Sequence, residues 1–441
     1  MAKRLTRFIL LGLVLGILTG WILNSALGGG TPEGDARLAE VAGYFSIVTA
    51  LFLRLIKMII APLVFSTLVV GIAHMGDTAA LGRVGVRAVA WFVGASLVSL
   101  TLGLVLVTIL QPGAGLNIPV PDVTAASGVE PSAFNLKDFI SHLVPASMIE
   151  AMANNEILQI VVFSLFVGVA ITAIGERAAP LVRGLEALVA VMLQITDYVM
   201  RFAPIAVFAA VTGAVAERGP TILRTFGYFM GSFYLGLALL WLVLFGGALL
   251  IVGPRARLLF RYLREPILLA FSTASSEAAY PRTLEALDRF GVPPRIASFV
   301  LPLGYSFNLD GSMMYMTFAS LFIAQAYGVH LTLGQQITML LVLMVTSKGI
   351  AGVPRASLVI IAATLSLFKI PEAGLLLIIA VDHFLDMGRS ATNVVGNAVA
   401  STVVAKWEGT MDPLEPPEME PPHAPSHRSP PPPGTEDHLT R

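Results

Sequence analysis

Long apolar runs, one after another, are what most constrain the fold of this chain. Segments near 8–27, 42–73, 84–110, 149–175, 181–216, 220–252, 296–328 and 373–406 are each apolar and long enough to cross a bilayer, whose hydrocarbon core takes about 20 helical residues. A backbone in that core must satisfy its own hydrogen bonds, so spans of this kind are helices. The expected fold class is an all-α polytopic membrane protein with eight transmembrane helices. Composition agrees: 56% of the 441 residues are hydrophobic and only 13% are charged, against about 25% charged in soluble domains.

The same composition excludes several functions. Lys and Arg balance Asp and Glu at 28 each, so there is no basic footprint for nucleic acid. Cys is absent, which removes disulfides, thiolate catalysis and Cys-based metal sites. No Walker loop is present, so if the chain moves a solute, an ion gradient supplies the energy. The N-terminus, MAKRLTRF before an apolar run of span length, reads as an uncleaved first helix rather than a signal peptide. Lys3, Arg4, Arg7, Arg83, Arg87, Arg177, Arg183, Arg255, Arg257, Arg261, Arg264, Arg289 and Arg295 all fall on one side if the chain starts inside. The positive-inside rule then places both termini in the cytoplasm. Arg54 and Lys57, near the start of span two, read as snorkelling charges.

Two segments do not fit as spans. Residues 254–292 hold two short arms divided by Ser272, Thr273, Ser275, Ser276 and Glu277; residues 333–370 hold two apolar arms divided by TSKGIAGVPRAS. Each reads as a helical hairpin that enters the membrane and leaves on the same side, because broken backbone at depth survives only inside protein or along a cavity. The first has its ends inside and the second outside, so hairpin–helix followed by hairpin–helix forms an inverted repeat with tips meeting near the midplane.

Two spans carry polar groups at depth. In span seven, LGYSFNLDGSMM sets Asn308 and Asp310 two residues apart between Gly304 and Gly311. An unwound turn there would expose carbonyls beside one carboxylate, a cage for a hard cation. In the last span, VDHFLDMGRSATNVVGN places Asp382, Asp386, Arg389, Ser390, Asn393 and Asn397 at three-and-four spacing on one helical stripe. Asp386 and Arg389 could neutralise each other as a structural pair, but that leaves the polar row without a purpose. Ionisable groups at membrane depth are functional-site candidates by default, so the stripe is read as a ligand site.

NLDGS, SSEAAYP, AGVPRAS and DMGRSATNVVGN, in this order, resemble the dicarboxylate/amino acid:cation symporter family. Its members include bacterial glutamate and C4-dicarboxylate carriers and animal excitatory amino acid transporters. The likeness runs from Lys3 to Gly409 and is strongest from Ser272 onward. It implies a homotrimer in the bacterial inner membrane, with spans 1, 2, 4 and 5 as scaffold. Spans 3 and 6, the hairpins and spans 7 and 8 would be the moving transport domain. In chain order this gives helices 1–6 over 1–253, a transport core over 254–409 and a Pro-rich tail over 410–441, read as disordered.

Residue by residue, the resemblance implies that Arg389 clamps the substrate's side-chain carboxylate and Asp386 receives an α-ammonium. Ser275, Ser276, Ser312, Ser390 and Asn393 would hydrogen-bond the carboxylates with the backbone of Val353. Arg355 departs from the family at a tip position that is usually small: it could hold a second carboxylate beside Arg389, point to the extracellular mouth or pair with Glu277. The cation would meet Asn308, Asp310, Asn393 and Asn397, with backbone at Gly304, Ser306 and Ser347; these are the Na⁺ candidates. Several residues depart from the family pattern. Asn397 stands where sodium-coupled members carry Asp, and Phe92 and Ala95 stand where they often carry Tyr and Thr, while Ser96 keeps its hydroxyl. Lys348 and Glu277 add charges at the hairpin tips. Fewer oxygens and less negative charge favour H⁺, or fewer Na⁺ ions, as the coupling cation. Glu277 is the candidate proton carrier, with Asp310 the other group that could titrate. No other cofactor is expected, and the partners are a small anionic substrate, the lipid bilayer and copies of the same chain.

Substrate class stays divided at this level. SSEAAYP and YSFNLDG resemble the C4-dicarboxylate branch, and DMGR the amino-acid branch. Asp386 favours aspartate or glutamate over succinate, fumarate or malate, because an unpaired carboxylate attracts an ammonium and repels a pure dianion. The rival classes are an anion channel, which needs a continuous pore, and a membrane enzyme, for which no GxSxG or HExxH occurs. His383 lies off the stripe and reads as structural.

Overall fold

The computed structural model describes residues 2–27, 31–75, 78–114, 121, 137, 141, 143–347, 356–379 and 381–414. Those residues are helical almost throughout, with no strand among them. The helices are α1 (Ala2–Ala26), α2 (Pro32–Met75), α3 (Thr78–Leu110), α4 (Met148–Ala153), α5 (Ile157–Ile174), α6 (Ala179–Met200) and α7 (Ala203–Val252). There follow α8 (Ala256–Thr273), α9 (Tyr280–Phe290), α10 (Pro294–Phe307), α11 (Asp310–Ala326), α12 (Leu333–Thr346), α13 (Ala356–Leu367), α14 (Leu375–Ile379) and α15 (Asp382–Trp407).

Among the described residues, five stretches are long and apolar enough to cross a membrane: Arg7–Ala26, Pro32–His74, Leu81–Leu110, Ile157–Met200 and Phe226–Val252. Helix α1 shows lipid-facing character, with Phe8, Leu11, Trp21 and Ile22 more than half exposed. Its other face carries Gly12, Gly16 and Gly20, where a Cβ would meet Pro204, Phe208 and Val215 of α7. Small residues four apart let the two backbones approach closely, as in membrane helix pairs. Helix α2 packs against α5, α6, α7 and α10, and α3 packs against α11.

The interior is formed by α10, α11 and α15. Every residue from Asp310 to Ala324 is buried, as is every residue from Met387 to Ala405. Helix α15 packs against α7, α8, α10 and α11. These are the polar segments of the chain, and they lie inside protein rather than against lipid, as the cost of polar groups in hydrocarbon requires.

Several boundaries differ from the sequence reading. The break expected near 217–219 falls instead at Arg201–Phe202, and α7 is helical from Ala203 to Val252. Pro204 in its first turn explains the start, since its fixed φ is pre-organised for a helix and its missing N–H is not needed there. At ~1.5 Å per residue α7 is about 75 Å long, over twice a hydrocarbon core, so only part of it can span. Residues 32–41, read as a loop, are the first turns of α2, whose entry is capped where Thr31 Oγ1 accepts from Gly34 N at 3.1 Å. Span four begins with a separate short helix, because Asn155 at φ 54° interrupts the backbone.

Candidate functional site

The site is built where the break between α10 and α11 meets the polar stripe of α15. The helix stops at Phe307, and Asn308 and Leu309 have non-helical backbone (ψ 61° and 67°) before α11 restarts at Asp310. That break brings Asn308 and Asp310 to the same neighbour despite their separation by two. Asn308 Nδ2 donates to Asp310 Oδ2 at 3.1 Å and to Asn397 Oδ1 at 3.3 Å. All three side chains are fully buried. Among the described residues, Asn308 Oδ1 and Asn397 Nδ2 have no partner, and neither does the hydroxyl of Ser306. Gly304 is required here, because a Cβ would overlap Asn397 Oδ1; a Cβ at Gly396 would overlap the Asp310 carboxylate.

Asn393, one turn before Asn397, ties the restarting helix to α15. Its Oδ1 accepts from Gly311 N at 2.9 Å and Ser312 N at 3.3 Å, and its Nδ2 donates to Ser312 Oγ at 3.2 Å. The first N–H groups of a helix lack intrahelical partners, so this side chain acts as the cap of α11.

One turn further back lies the guanidinium of Arg389, 4% exposed. Its Nη2 is 2.8 Å from Asp386 Oδ1 and 3.4 Å from Asp382 Oδ1, and its Cζ sits 4.0 Å from the centre of the Tyr315 ring. Tyr315 in turn donates its hydroxyl to Asp382 Oδ1 at 2.8 Å. Two of the three nitrogens, Nε and Nη1, are buried without an acceptor among the described residues. A buried cation with unspent donors is costly unless an anion can take them. Asp386 is the exposed member of this group, with 39% of its side chain accessible, against 13% for Asp382.

The stripe residues Asp382, Asp386, Arg389, Asn393 and Asn397 are thus linked through α10–α11 into one polar core, beside buried Ser390 and Ser312. The remaining sequence candidates lie on other elements. Ser275 and Ser276 lie in the turn between α8 and α9, where Ala274 is left-handed at φ 48° and Ser275 Oγ accepts from Ala278 N at 3.3 Å. Glu277 opens the 3₁₀ turn that follows and lies within electrostatic reach of Lys57 on α2. Ser347 is buried at the end of α12, its hydroxyl donating to Met344 O at 3.0 Å. Lys348, Val353 and Arg355, with the tip assigned to them, lie outside the described residues.

The comparisons with known proteins bear on the whole of this architecture. The model of the sodium:dicarboxylate symporter family matches residues 5–407. The chain belongs to that family. It is 38% identical over 406 residues to the proton/sodium-glutamate symport protein of Bacillus caldotenax, covering 91% of this chain and 94% of that protein. It is 40% identical over 412 residues to the proton/glutamate-aspartate symporter of Escherichia coli K12, covering 92% and 93%. It is also 39% identical over 410 residues to C4-dicarboxylate transport protein 2 of Mesorhizobium japonicum, covering 92% and 89%. The resemblance drawn from the four motifs is therefore correct, and the chain is a membrane transporter rather than an enzyme.

Sequence reasoning missed two residues of the symporter's polar core. Ser99 on α3 places its single hydroxyl 2.8 Å from Ala95 O and 3.3 Å from Asp310 Oδ1, within hydrogen-bond reach of either acceptor. Its signal was the Ser96/Ser99 pair in an otherwise apolar span. Tyr315, five residues past Asp310, carried no pattern of its own, since an aromatic in a buried helix is ordinarily core.

Proposed function

We propose that this chain is a secondary active symporter that carries aspartate or glutamate with a cation by alternating access. The observation that carries this reading is Arg389, a guanidinium 4% exposed whose Nε and Nη1 have no acceptor among the described residues, beside a partly accessible Asp386. A substrate carboxylate would take the open donors, and Asp386 would take the α-ammonium. Ser275, Ser276, Ser312, Ser390 and Asn393 would bind the rest of the substrate with Val353, and Arg355 at the outer tip would close over it. Relatives named for glutamate, for glutamate and aspartate, and for C4-dicarboxylates leave both substrate classes within the family. Asp386 favours the amino acid; a succinate, fumarate or malate symporter is the second reading, favoured by SSEAAYP.

The cation would sit at Asn308, Asp310 and Asn397, with carbonyls of Gly304, Ser306 and Ser347 near by. One carboxylate with amide and carbonyl oxygens fits a hard monovalent cation, and among the described residues no cluster of three His, Asp or Glu side chains offers a transition-metal site. Asn397 removes one negative charge from this set, so we assign coupling to H⁺, or to fewer Na⁺ ions than a fully acidic site would hold, with Glu277 as the proton carrier. The arrangement we assign is eight spans and two opposed hairpins in an inverted repeat, assembled as a homotrimer in a bacterial inner membrane. Cation and substrate each stabilise the closed form, which links their movement.

Binding competition between aspartate and succinate on the purified protein tests the substrate. The reading expects aspartate to win, and aspartate binding unaffected by Asp386→Asn would overturn the assignment of the ammonium site. Uptake into liposomes under an imposed sodium gradient, with pH clamped equal on both sides, tests the cation. Full concentrative uptake under those conditions would sink proton coupling.

A further inference from the structure

Away from the proposed substrate site, one largely covered guanidinium gathers three carboxylates from three helices. Arg282 of α9 is 2.7 Å from Glu285 on its own helix, 3.4 Å from Glu265 of α8, and 2.6 Å from Asp197 of α6. Arg289 is a further positive charge within reach of Glu265. The four members are unequally exposed: 14% for Arg282, 11% for Glu265, 25% for Glu285 and 41% for Asp197. Two of the three acids belong to the α8–α9 hairpin itself, and the third comes from outside it.

The packing around Asp197 makes this asymmetry informative. Helices α8 and α9 pack on each other, and both pack on α15, the substrate helix. Helix α6 packs along α2 and the 3₁₀ turn before it, not along the hairpin. The Arg282–Asp197 pair thus reaches from the hairpin to a helix whose main packing is on α2. Pulling them apart would leave Arg282 neutralised by Glu265 and Glu285, so no bare guanidinium is left buried. Asp197, the most exposed of the four, would return to water at little cost, unlike a fully buried acid. A charge-assisted bond with one well-solvated partner can open and re-form.

We propose that the Arg282–Asp197 ion pair is a latch that fastens the α8–α9 hairpin to α6 in this conformation and opens whenever the hairpin moves. The latch rests on the transport reading only for the purpose of that motion; its existence is a matter of the hairpin and α6 alone. No residue of the family's substrate or cation set takes part in it.

The chain has no cysteine, so labels can be introduced without background. Val191→Cys on α6 and Leu258→Cys on α8, at positions 52% and 40% exposed, take a pair of spin labels, and pulsed electron paramagnetic resonance reads the distances between them. In wild type one short distance should dominate. Asp197→Asn, which leaves Arg282 its two other acids and so should fold, should shift the ratio of longer to short distances by about fivefold or more, as expected for losing one partly exposed charged bond. Asp197→Glu should restore the wild-type ratio. An Asp197→Asn distribution that superimposes on wild type would overturn the latch. Aspartate uptake measured in parallel separates the two ideas: a protein that shows the shift but transports nothing keeps the latch and loses the transport reading.

Discussion

Asn397→Asp is the sharpest perturbation of the proposed cation site. Both Asp310 Oδ2 and Asn397 Oδ1 accept from the single Asn308 Nδ2, at 3.1 and 3.3 Å. A carboxylate at 397 would therefore lie roughly 5–6 Å from that of Asp310, with both side chains fully buried. At an effective dielectric constant of ~20, two like charges at that separation repel by about 3 kcal/mol, on the order of a hundredfold in an equilibrium constant. A bound monovalent cation between them converts that repulsion into attraction. The variant should therefore lose thermal stability in choline chloride, recover it in sodium chloride, and bind aspartate with strong sodium dependence. Wild type should show a much weaker difference between the two salts. The assay is thermal unfolding and aspartate binding of purified wild type and variant across a sodium titration at fixed ionic strength. If the variant behaves alike in both salts, the new carboxylate is protonated or the cation binds elsewhere, and the assignment of this cluster is refuted.

Other predictions follow from individual contacts. Asp386→Asn should weaken aspartate binding by at least tenfold while leaving succinate unchanged or improved, read by competition calorimetry. Gly304→Ala drives a methyl group into Asn397 Oδ1; cation dependence of uptake should be lost before the protein unfolds, read by uptake against melting temperature. Tyr315→Phe removes the hydroxyl that holds Asp382 and should cost about 1–2 kcal/mol of stability, with the loss visible in thermal unfolding. Residues past the family match fold back over the α9–α10 turn, where Asp412 N donates to Gly291 O at 2.9 Å and Arg255 Nη2 donates to Asp412 O at 2.5 Å. Gly291 sits at φ 88°, with no room for a Cβ beside Arg255 and Asp412. Gly291→Ala should free this segment and raise its susceptibility to limited proteolysis.

The polar core of the candidate site was largely legible in the chain because its cost is legible. Asp382, Asp386, Arg389, Asn393 and Asn397 stand out against an apolar run, and their three-and-four spacing announces one helix face. Asn308 and Asp310 are two apart, which only a broken helix can reconcile with a shared partner, and the break at 308–309 is there. What stayed hidden depends on tertiary pairing. Ser99 meets Asp310 across 211 residues and is marked locally only by the Ser96/Ser99 pair, while Asp197 meets Arg282 across 85 with nothing local to mark it. Helix boundaries failed for another reason. Apolar content reports where lipid or core lies, whereas breaks such as Arg201–Phe202 are set by single residues like Pro204, whose effect is confined to the first turn.

The central claim is that a buried guanidinium with open donors holds an acidic substrate that a cation gradient drives. The direct measurement is concentrative aspartate uptake, with equilibrium aspartate binding, by liposome-reconstituted wild type and Arg389→Ala. The account predicts uptake by wild type that collapses when the cation gradient is dissipated, and loss of both binding and uptake in a variant that remains folded. Aspartate and succinate binding retained at wild-type affinity in Arg389→Ala would contradict it.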